Sequence, residues 1–309
     1  MKDSIPHLSV VTPCFNEEST VEECVQRLET SLLNKNISFE HILVDNASND
    51  RTLEVMLQLK SIYPHVRVLS NEFNIGAFKS MQRGIKAARG DLIIPFLAAD
   101  CQDPPELIPV MLQIRDECGC NTVAGVRRTR QDNFIISSFR RLFYKIVVLA
   151  THGRYRSGSS EFRLMETNSA SQLVEITDAT PFLRIYMSQI QGEVEYIEYE
   201  MAERKAGKSS SSFFPLVDDA LNGIMLAMPS MFSRLLVPLV PLLGLSFSLL
   251  LIGALCVVCG YSQAAWVIPW SGASTALIGL LTVQMMIGQY VFMIHSQVRA
   301  GPTAFTKEL

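Results

Sequence analysis

The segment Ala98-Ala99-Asp100-Cys101-Gln102-Asp103-Pro104-Pro105-Glu106 is rich in oxygen donors. Side chains two apart on extended backbone point the same way. Asp100 and Gln102 can therefore present two oxygens to one hard divalent cation. A second concentration of chemistry is cationic. Between Arg127 and Arg163, nine Arg and Lys residues (127, 128, 130, 140, 141, 145, 154, 156, 163) stand against two acids, Asp132 and Glu161. Such an excess suits a phosphate-bearing partner or an anionic membrane surface, or is a solvated basic face. The whole-chain net charge of −3 carries no nucleic-acid signature. The seven cysteines show no framework of the kind that staples small secreted domains, and a reducing setting is expected. Cys256-x-x-Cys259 lies inside an apolar run with no second ligand pair after it, which argues against zinc.

The elements around these residues alternate. Short apolar runs at Leu8–Thr12, His41–Val44, Val66–Leu69 and Leu92–Leu97 read as strands. Helical periodicity runs over Thr20–Leu33, Thr52–Ile62 and Gly76–Ala88. Strands alternating with helices predict an α/β fold, a mostly parallel sheet with helices on both faces. Ligands of such sheets bind at the carboxyl ends of the strands, so the polar loops after Thr12, Val44 and Leu97 should converge on one site. Ser48 and Asp50 read as caps for the helix that follows them.

The second half differs. Phe134–Leu149 sets Phe139, Leu142, Phe143 and Ile146 at helical spacing among Arg140, Arg141 and Lys145. That is an amphipathic basic helix, for a membrane surface or for packing on the sheet. Phe213–Arg234 is a second amphipathic stretch. Leu235–Val258 is uncharged and long enough to cross a bilayer, which takes about 20 apolar residues. A second uncharged run covers Trp266–Ile294, where Ser271, Ser274, Thr275, Thr282, Gln284 and Gln289 suggest helix–helix contact. Tyr261, Trp266 and Trp270 between the spans mark a membrane interface, and Arg234, His295, Arg299 and Lys307 place both flanks in the cytosol.

The motifs, in order, resemble the family 2 glycosyltransferases of the GT-A (Rossmann-like) fold, and within them the polyprenyl-phosphate branch: dolichyl-phosphate mannose synthase-like enzymes, bactoprenol glucosyltransferases and aminoarabinose-type undecaprenyl-phosphate transferases. The resemblance covers nearly the whole chain. Val10-Val11-Thr12-Pro13-Cys14-Phe15-Asn16-Glu17 matches the loop that closes over the base and ribose. It implies nucleotide-sugar contacts at Pro13, Phe15, Asn16 and Glu17. Asp45-Asn46-Ala47-Ser48-Asn49-Asp50-Arg51-Thr52 resembles D-D-G-S-x-D-x-T, with Asn46 and Ala47 replacing Asp and Gly, and implies that Asp45 accepts from the base. Asn74-Ile75-Gly76 running to Gly90-Asp91 resembles a mainly architectural motif in which Asn74 faces the nucleotide. Ala98 to Glu106 resembles D-A-D-L-Q-D/N-P-P-E. It implies Mg2+ or Mn2+ on Asp100 and Gln102, bridging the donor's diphosphate, with Ala99 and Asp100 at the donor. Ala98 stands where the family has its first Asp. Gly125 to Asp132, with Arg127, Arg128 and Arg130, resembles G-x-R-x-x-R-x-D at the membrane-side opening. Gly158 to Met165 resembles T-G-D-F-R-L-M, with Glu161 at the position of the family's proposed base and Arg163 after it. Arg204-Lys205-Ala206-Gly207-Lys208-Ser209 resembles R-x-x-G-x-S-K. There Arg204 acts as a fork and Lys208 as a point charge on phosphates. Gly288-Gln289-Tyr290-Val291 and Val298-Arg299-Ala300-Gly301-Pro302 echo the family tail.

The resemblance implies a cytosolic catalytic domain at 1–212, an amphipathic juxtamembrane segment at 213–234, a transmembrane hairpin at 235–295 and a cytosolic tail at 296–309. The chain would be a multi-pass protein of the inner membrane, associating as a tetramer through its hairpins. Its implied reaction is inverting transfer of a sugar from a nucleotide sugar, with UDP as the expected carrier, to undecaprenyl phosphate. Asp100, Glu161 and Arg204 are the expected catalytic residues. Arg127, Arg128, Arg130, Arg163 and Lys208 are expected on the acceptor phosphate. The substitutions at 46, 47, 98 and 161, with Ser210 where the family often has Lys, leave a second reading open, a non-catalytic module that binds a nucleotide sugar. A processive polysaccharide synthase fits less well, because neither Trp266 nor Trp270 belongs to a Q-x-x-R-W motif.

Overall fold

The computed structural model describes residues 6–128, 148, 156, 158–176, 183–190, 192–202, 231–261, 265–298 and 306–308. The predicted helix at Phe134–Leu149 therefore lies almost wholly outside the described residues, as do Arg130, Arg204, Lys208 and most of Phe213–Arg234. The chain divides into two compact units, 1–227 together with 301–309, and 228–300.

The first unit holds β1 (Leu8–Cys14), α1 (Val21–Leu33), β2 (Phe39–Asp45), α2 (Thr52–Ile62), β3 (Val66–Asn71), α3 (Ala77–Ala87), β4 (Leu92–Ile94), α4 (Ile108–Cys118), β5 (Thr122–Arg127), β6 (Ser159–Glu166), α5 (Thr167–Ser171), α6 (Leu183–Gln189), β7 (Val194–Tyr199) and β8 (Thr306–Glu308). The strands form one sheet in the order β7-β5-β6-β4-β1-β2-β3-β8. β1, β2, β3 and β4 pair in parallel and β7 is parallel to β5, whereas β6 and β8 run antiparallel to their neighbours. This is the mostly parallel α/β sheet that the alternation predicts.

The buried strands read as continuous apolar runs because both faces are covered. On one face Leu8, Val10 and Val123 meet Leu28 and Leu32 of α1 and Met111 of α4, and Leu43 and Val68 meet Val21 and Val25 of α1 and Met56 of α2. On the other, Val11, Ile42, Val44 and Ile93 meet Met81 and Ile85 of α3, Ala170 of α5 and Met187 of α6. The helix α3 lies close on β1, since a Cβ on Gly84 would stand 2.2 Å from Val11 Cγ1. Two strand ends differ from expectation, both at prolines. β1 runs past Pro13 to Cys14 because the imino side of Pro13 faces the β4 flank, where pairing with β1 has already stopped at Val10–Ile94. β4 ends at Ile94 because Pro95 has no donor for the ladder. The chain still returns to β1 through the bond from Leu97 N–H to the Val11 carbonyl, 2.9 Å. Cys118 and Cys120, at the end of α4, are joined by a disulfide.

The second unit is a helical hairpin, α7 (Met231–Val258) and α8 (Val267–Val298). Within them, Pro238–Val258 and Val267–Gly288, 21 and 22 residues, are each long and apolar enough to cross a membrane. At 1.5 Å per residue each covers about 30 Å. Pro238 and Pro241 lie inside α7, at the start of its apolar span. Leu249, Leu255, Leu277 and Ile287 are exposed, so these helices are not the covered core of a soluble fold. Ser246 holds the pair together: its hydroxyl meets the Ser271 carbonyl at 3.2 Å, Ser274 Oγ at 2.6 Å and Thr275 Oγ1 at 2.9 Å. Of the polar residues expected at helix contacts, Thr282 instead bonds back to the Ile278 carbonyl and Gln284 is exposed.

Candidate active site

In the parallel part of the sheet β1, β2, β5 and β7 end on one edge, at Cys14, Asp45, Arg127 and Tyr199. The antiparallel β6 starts on that edge, with Ser159 opposite Val126. Asn16, Asp45, Asp100, Arg127, Glu161 and Tyr199 therefore belong to loops and strand ends along one side of the sheet, where the sequence places the site.

The loops after β1 and β2 are fastened to each other. Asn16 N–H donates to Ser48 Oγ at 3.1 Å, and Asn49 N–H donates to Asn16 Oδ1 at 2.8 Å. Glu17 N–H donates to Thr52 Oγ1 at 2.8 Å, and Arg51 N–H to Glu18 Oε2 at 2.9 Å. The Glu17 carboxylate takes the Thr20 hydroxyl at 2.6 Å. The polar atoms of Asn16 and Glu17 so far accounted for build the loop, while Phe15 is left exposed at its tip. Asp50 accepts from Thr52 N–H at 3.0 Å, in the first turn of α2, but Ser48 serves the neighbouring loop and not the helix. Asp45 is buried, accepting from Ser48 N–H at 3.2 Å and from the Ser70 hydroxyl at 3.5 Å. Burial first, and then the charges of Glu17, Asp45 and Asp50, push the Cys14 thiol well up, so it stays protonated among these carboxylates.

Asn46 explains its own departure from the motif. Its Oδ1 accepts from Ile75 N–H at 2.9 Å and its Nδ2 donates to Asn74 Oδ1 at 2.8 Å. Asn74 Oδ1 also accepts from Gly76 N–H at 2.9 Å, ahead of α3. The side chain of Asn74, expected at the nucleotide, thus joins the β2 loop to α3. Among the described residues four non-glycines have positive φ, and three of them, Asn16 (57°), Ala47 (58°) and Cys101 (56°), sit in these site loops. Left-handed backbone at such residues costs about 1–3 kcal/mol each and persists where surroundings enforce it, commonly at functional sites.

The loop carrying Asp100 and Gln102 is held at several points. Asp100 Oδ1 accepts from Gln102 N–H at 3.1 Å. The Gln102 carbonyl accepts from Ala202 N–H at 3.2 Å. Glu106, at the far end, receives Nε and Nη2 of Arg27 at 2.7 and 2.8 Å. Asp103 is fully buried and grips Arg127: Nη2 reaches both carboxylate oxygens at 3.0 Å, and Nε reaches Oδ1 at 3.2 Å. The Tyr199 hydroxyl donates to the same Asp103 oxygen and lies 3.1 Å from both Arg127 Nε and Ser160 Oγ. Glu161 Oε2 is 4.0 Å from Arg127 Nη2. Among the described residues no three His, Cys, Asp or Glu side chains gather to cage a metal. The segment is not extended as expected, because Cys101 is left-handed and Asp100 turns back onto Gln102 N–H, so alternation does not aim the two side chains. A carboxylate and an amide remain oxygen donors of the kind a magnesium-type ion takes, with phosphates and water completing its shell.

Two expected acceptor ligands are placed differently. Arg163 is 2% exposed, with its guanidinium on Ser159 Oγ at 2.8 Å and the Ser160 carbonyl at 3.2 Å. That correction follows from burial, since an incoming lipid phosphate does not reach it. The charge of Arg127 is taken up by Asp103. Arg128 is exposed but faces Glu198 at 3.5 Å and Glu200 at 3.8 Å, acids of β7 and its end that a count over 127–163 leaves out. Asp103, Ser160 and Tyr199 join the site only through the fold. Asp103 was visible inside the Asp100 motif, whereas nothing in the alternation of β7 marks Tyr199.

A family model described as glycosyl transferase family 2 matches residues 9–190. Undecaprenyl-phosphate 4-deoxy-4-formamido-L-arabinose transferase of Pseudomonas savastanoi is 27% identical over 99% of this chain and 91% of its own length. The protein of the same description from Pectobacterium atrosepticum is 28% identical over 100% and 95%. An uncharacterised glycosyltransferase of Synechocystis is 27% identical over 98% and 95%. Among solved structures, mannosyl-3-phosphoglycerate synthase from Rubrobacter xylanophilus superposes with a TM-score of 0.50 at 15% identity, covering 72% of this chain and 74% of that one, a likeness of fold.

Proposed function

The chain belongs to glycosyl transferase family 2, and from that premise we propose that it moves a sugar from a nucleoside diphosphate sugar, with UDP as the expected carrier, onto a polyprenyl phosphate at the cytosolic face of a membrane. The observation that carries the reading is the gathering of Asp100, Gln102, Arg127 and Glu161 along the edge where the parallel strands end. The names of the relatives support the lipid phosphate acceptor. The apolar hairpin supports an acceptor met at a bilayer. Two crossings return the chain to the side it left, in keeping with segments on both flanks of the hairpin belonging to the first unit.

In this mechanism Phe15 stacks on the base, Asp45 and its loop hold the nucleoside, and Asn16 and Glu17 keep that loop shut. Mg2+ or Mn2+ held by Asp100 and Gln102 would neutralise charge on the departing diphosphate. An oxygen of the acceptor phosphate attacks the anomeric carbon, the bond from that carbon to the diphosphate oxygen breaks, and UDP leaves with inversion. A phosphomonoester has a second pKa of about 6 and is largely ionised at neutral pH. The nucleophile therefore needs no base, and Glu161 orients the acceptor. Arg128, with Arg130, Arg204 and Lys208 beyond the described residues, supplies the phosphate contacts. The rate comes from positioning and charge neutralisation.

The test is transfer of label from a panel of nucleotide sugars to undecaprenyl phosphate in isolated membranes, with Mg2+ or Mn2+. Lipid-extractable label from one donor, lost with chelator and in Asp100→Ala, is the expected result. No label from any donor, with the lipid shown competent by a control transferase, favours the second reading, a non-catalytic module. Ala98, at the first position of the metal motif, is the residue that keeps that reading alive.

A further inference from the structure

Three sequence motifs that look independent, and the end of β7, meet at one side chain. Arg127 ends β5. Its guanidinium fork is filled by Asp103, one residue beyond Gln102, and its Nη2 stands 4.0 Å from Glu161 of β6. Tyr199, the last residue of β7, closes the group from the other side, its hydroxyl on Asp103, Arg127 and Ser160. The backbone repeats the connection: Arg128 N–H donates to the Tyr199 carbonyl at 2.9 Å, and Ala202 N–H to the Gln102 carbonyl at 3.2 Å. The Tyr199 ring rests edge-on against Phe162, centroids 6.0 Å apart, so the hydroxyl is aimed by packing.

Resting on the function read above, we propose that Asp103, Arg127 and Tyr199 are positioning residues that hold the Asp100–Gln102 loop and Glu161 in one fixed relation. Arg127 then serves the cation-and-diphosphate end of the site and is not a ligand of the acceptor phosphate. A buried carboxylate that accepts three hydrogen bonds from one guanidinium and one from a phenol has little freedom. Because Asp103 follows Gln102 directly, fixing it fixes the backbone from which both cation ligands project. The same guanidinium attracts Glu161, so the carboxylate that orients the acceptor is referenced to the loop that holds the diphosphate. Positioning of this kind is steeply sensitive to small displacements.

The two roles for Arg127 predict opposite outcomes. The full-length chain in detergent is titrated with Mn2+ in the presence of UDP, with free Mn2+ read by electron paramagnetic resonance, beside steady-state transfer and a melting curve. Wild type must bind Mn2+ and transfer sugar. If it does neither, the function reading falls by itself. With positioning, Arg127→Lys and Asp103→Asn each raise the Mn2+ concentration for half-saturation and lower kcat, by about tenfold for the loss of charge-assisted bonds. The acceptor KM holds. Tyr199→Phe keeps the ring and moves both quantities a few-fold in the same direction. If Arg127 were a phosphate ligand, Arg127→Lys would raise the acceptor KM with Mn2+ saturation unmoved. Asp103→Asn would lower that KM by releasing the guanidinium. That pattern overturns the proposal. Should the two charge variants melt before assay, unchanged Mn2+ saturation in Tyr199→Phe overturns it alone.

Discussion

Replacing Asn46 by Asp restores the residue that the family motif carries, yet here it should destabilise the protein, and more so at high pH. Asn46 is 3% exposed. Its orientation is set by Ile75 N–H, which needs an acceptor and finds Oδ1 at 2.9 Å. Its Nδ2 consequently faces Asn74 Oδ1 at 2.8 Å, and that oxygen is held in place by Gly76 N–H at 2.9 Å. A carboxylate at this position brings two acceptors face to face. If the Asn74 amide turns to donate, the bond from Gly76 N–H is lost instead. Either way about one buried hydrogen bond goes, and leaving a buried group unsatisfied costs roughly 1–3 kcal/mol. For a domain of this size that is a fall in melting temperature of about 2–4 °C per kcal/mol. Burial also raises the pKa of the introduced acid above its unfolded value. The protonated form can donate to Asn74, so the deficit is small below the unfolded pKa and grows as pH rises through the folded one. The measurement is thermal unfolding of wild type and Asn46→Asp in detergent at about pH 5 and pH 8, followed by near-UV circular dichroism. A variant equally stable at both pH values, or more stable than wild type at the higher, would refute the assigned bonding.

Ala47, at φ 58°, occupies a position where the motif has glycine. Ala47→Gly should relieve about 1–2 kcal/mol of left-handed strain against up to about 1 kcal/mol of added chain entropy, a small net gain seen in urea unfolding. Gly84→Ala favours the helix by about 1 kcal/mol but sets a methyl 2.2 Å from Val11 Cγ1. Overpacking of about 1–3 kcal/mol should win, lowering the melting temperature. Glu29 is buried with Oε1 unpartnered among the described residues, and burial pushes its pKa up to about 7. A raised acid binds its proton more tightly in the folded state, so stability falls as pH climbs from 4.5 to about 7. Glu29→Gln should flatten that slope in melts across the window.

The alternation of apolar runs with 3.6-residue patterns, and two uncharged stretches of spanning length, determined the class of fold and the presence of the hairpin, because burial on both faces leaves a periodic record in the chain. Strand ends at prolines were legible only in part, since a missing donor matters only if a neighbouring strand is there to receive it. The motifs located the site edge for the same kind of reason, each being confined to one strand end. What they left open was partnership. That Asp103 fills the fork of Arg127, that Glu198 and Glu200 face Arg128 and that Asn46 bonds Asn74 are contacts between segments far apart in the chain, and that Arg163 is buried follows from the packing around β6. A side chain's charge is written in the sequence, but whether that charge meets a ligand or a neighbour depends on which strands the sheet sets side by side.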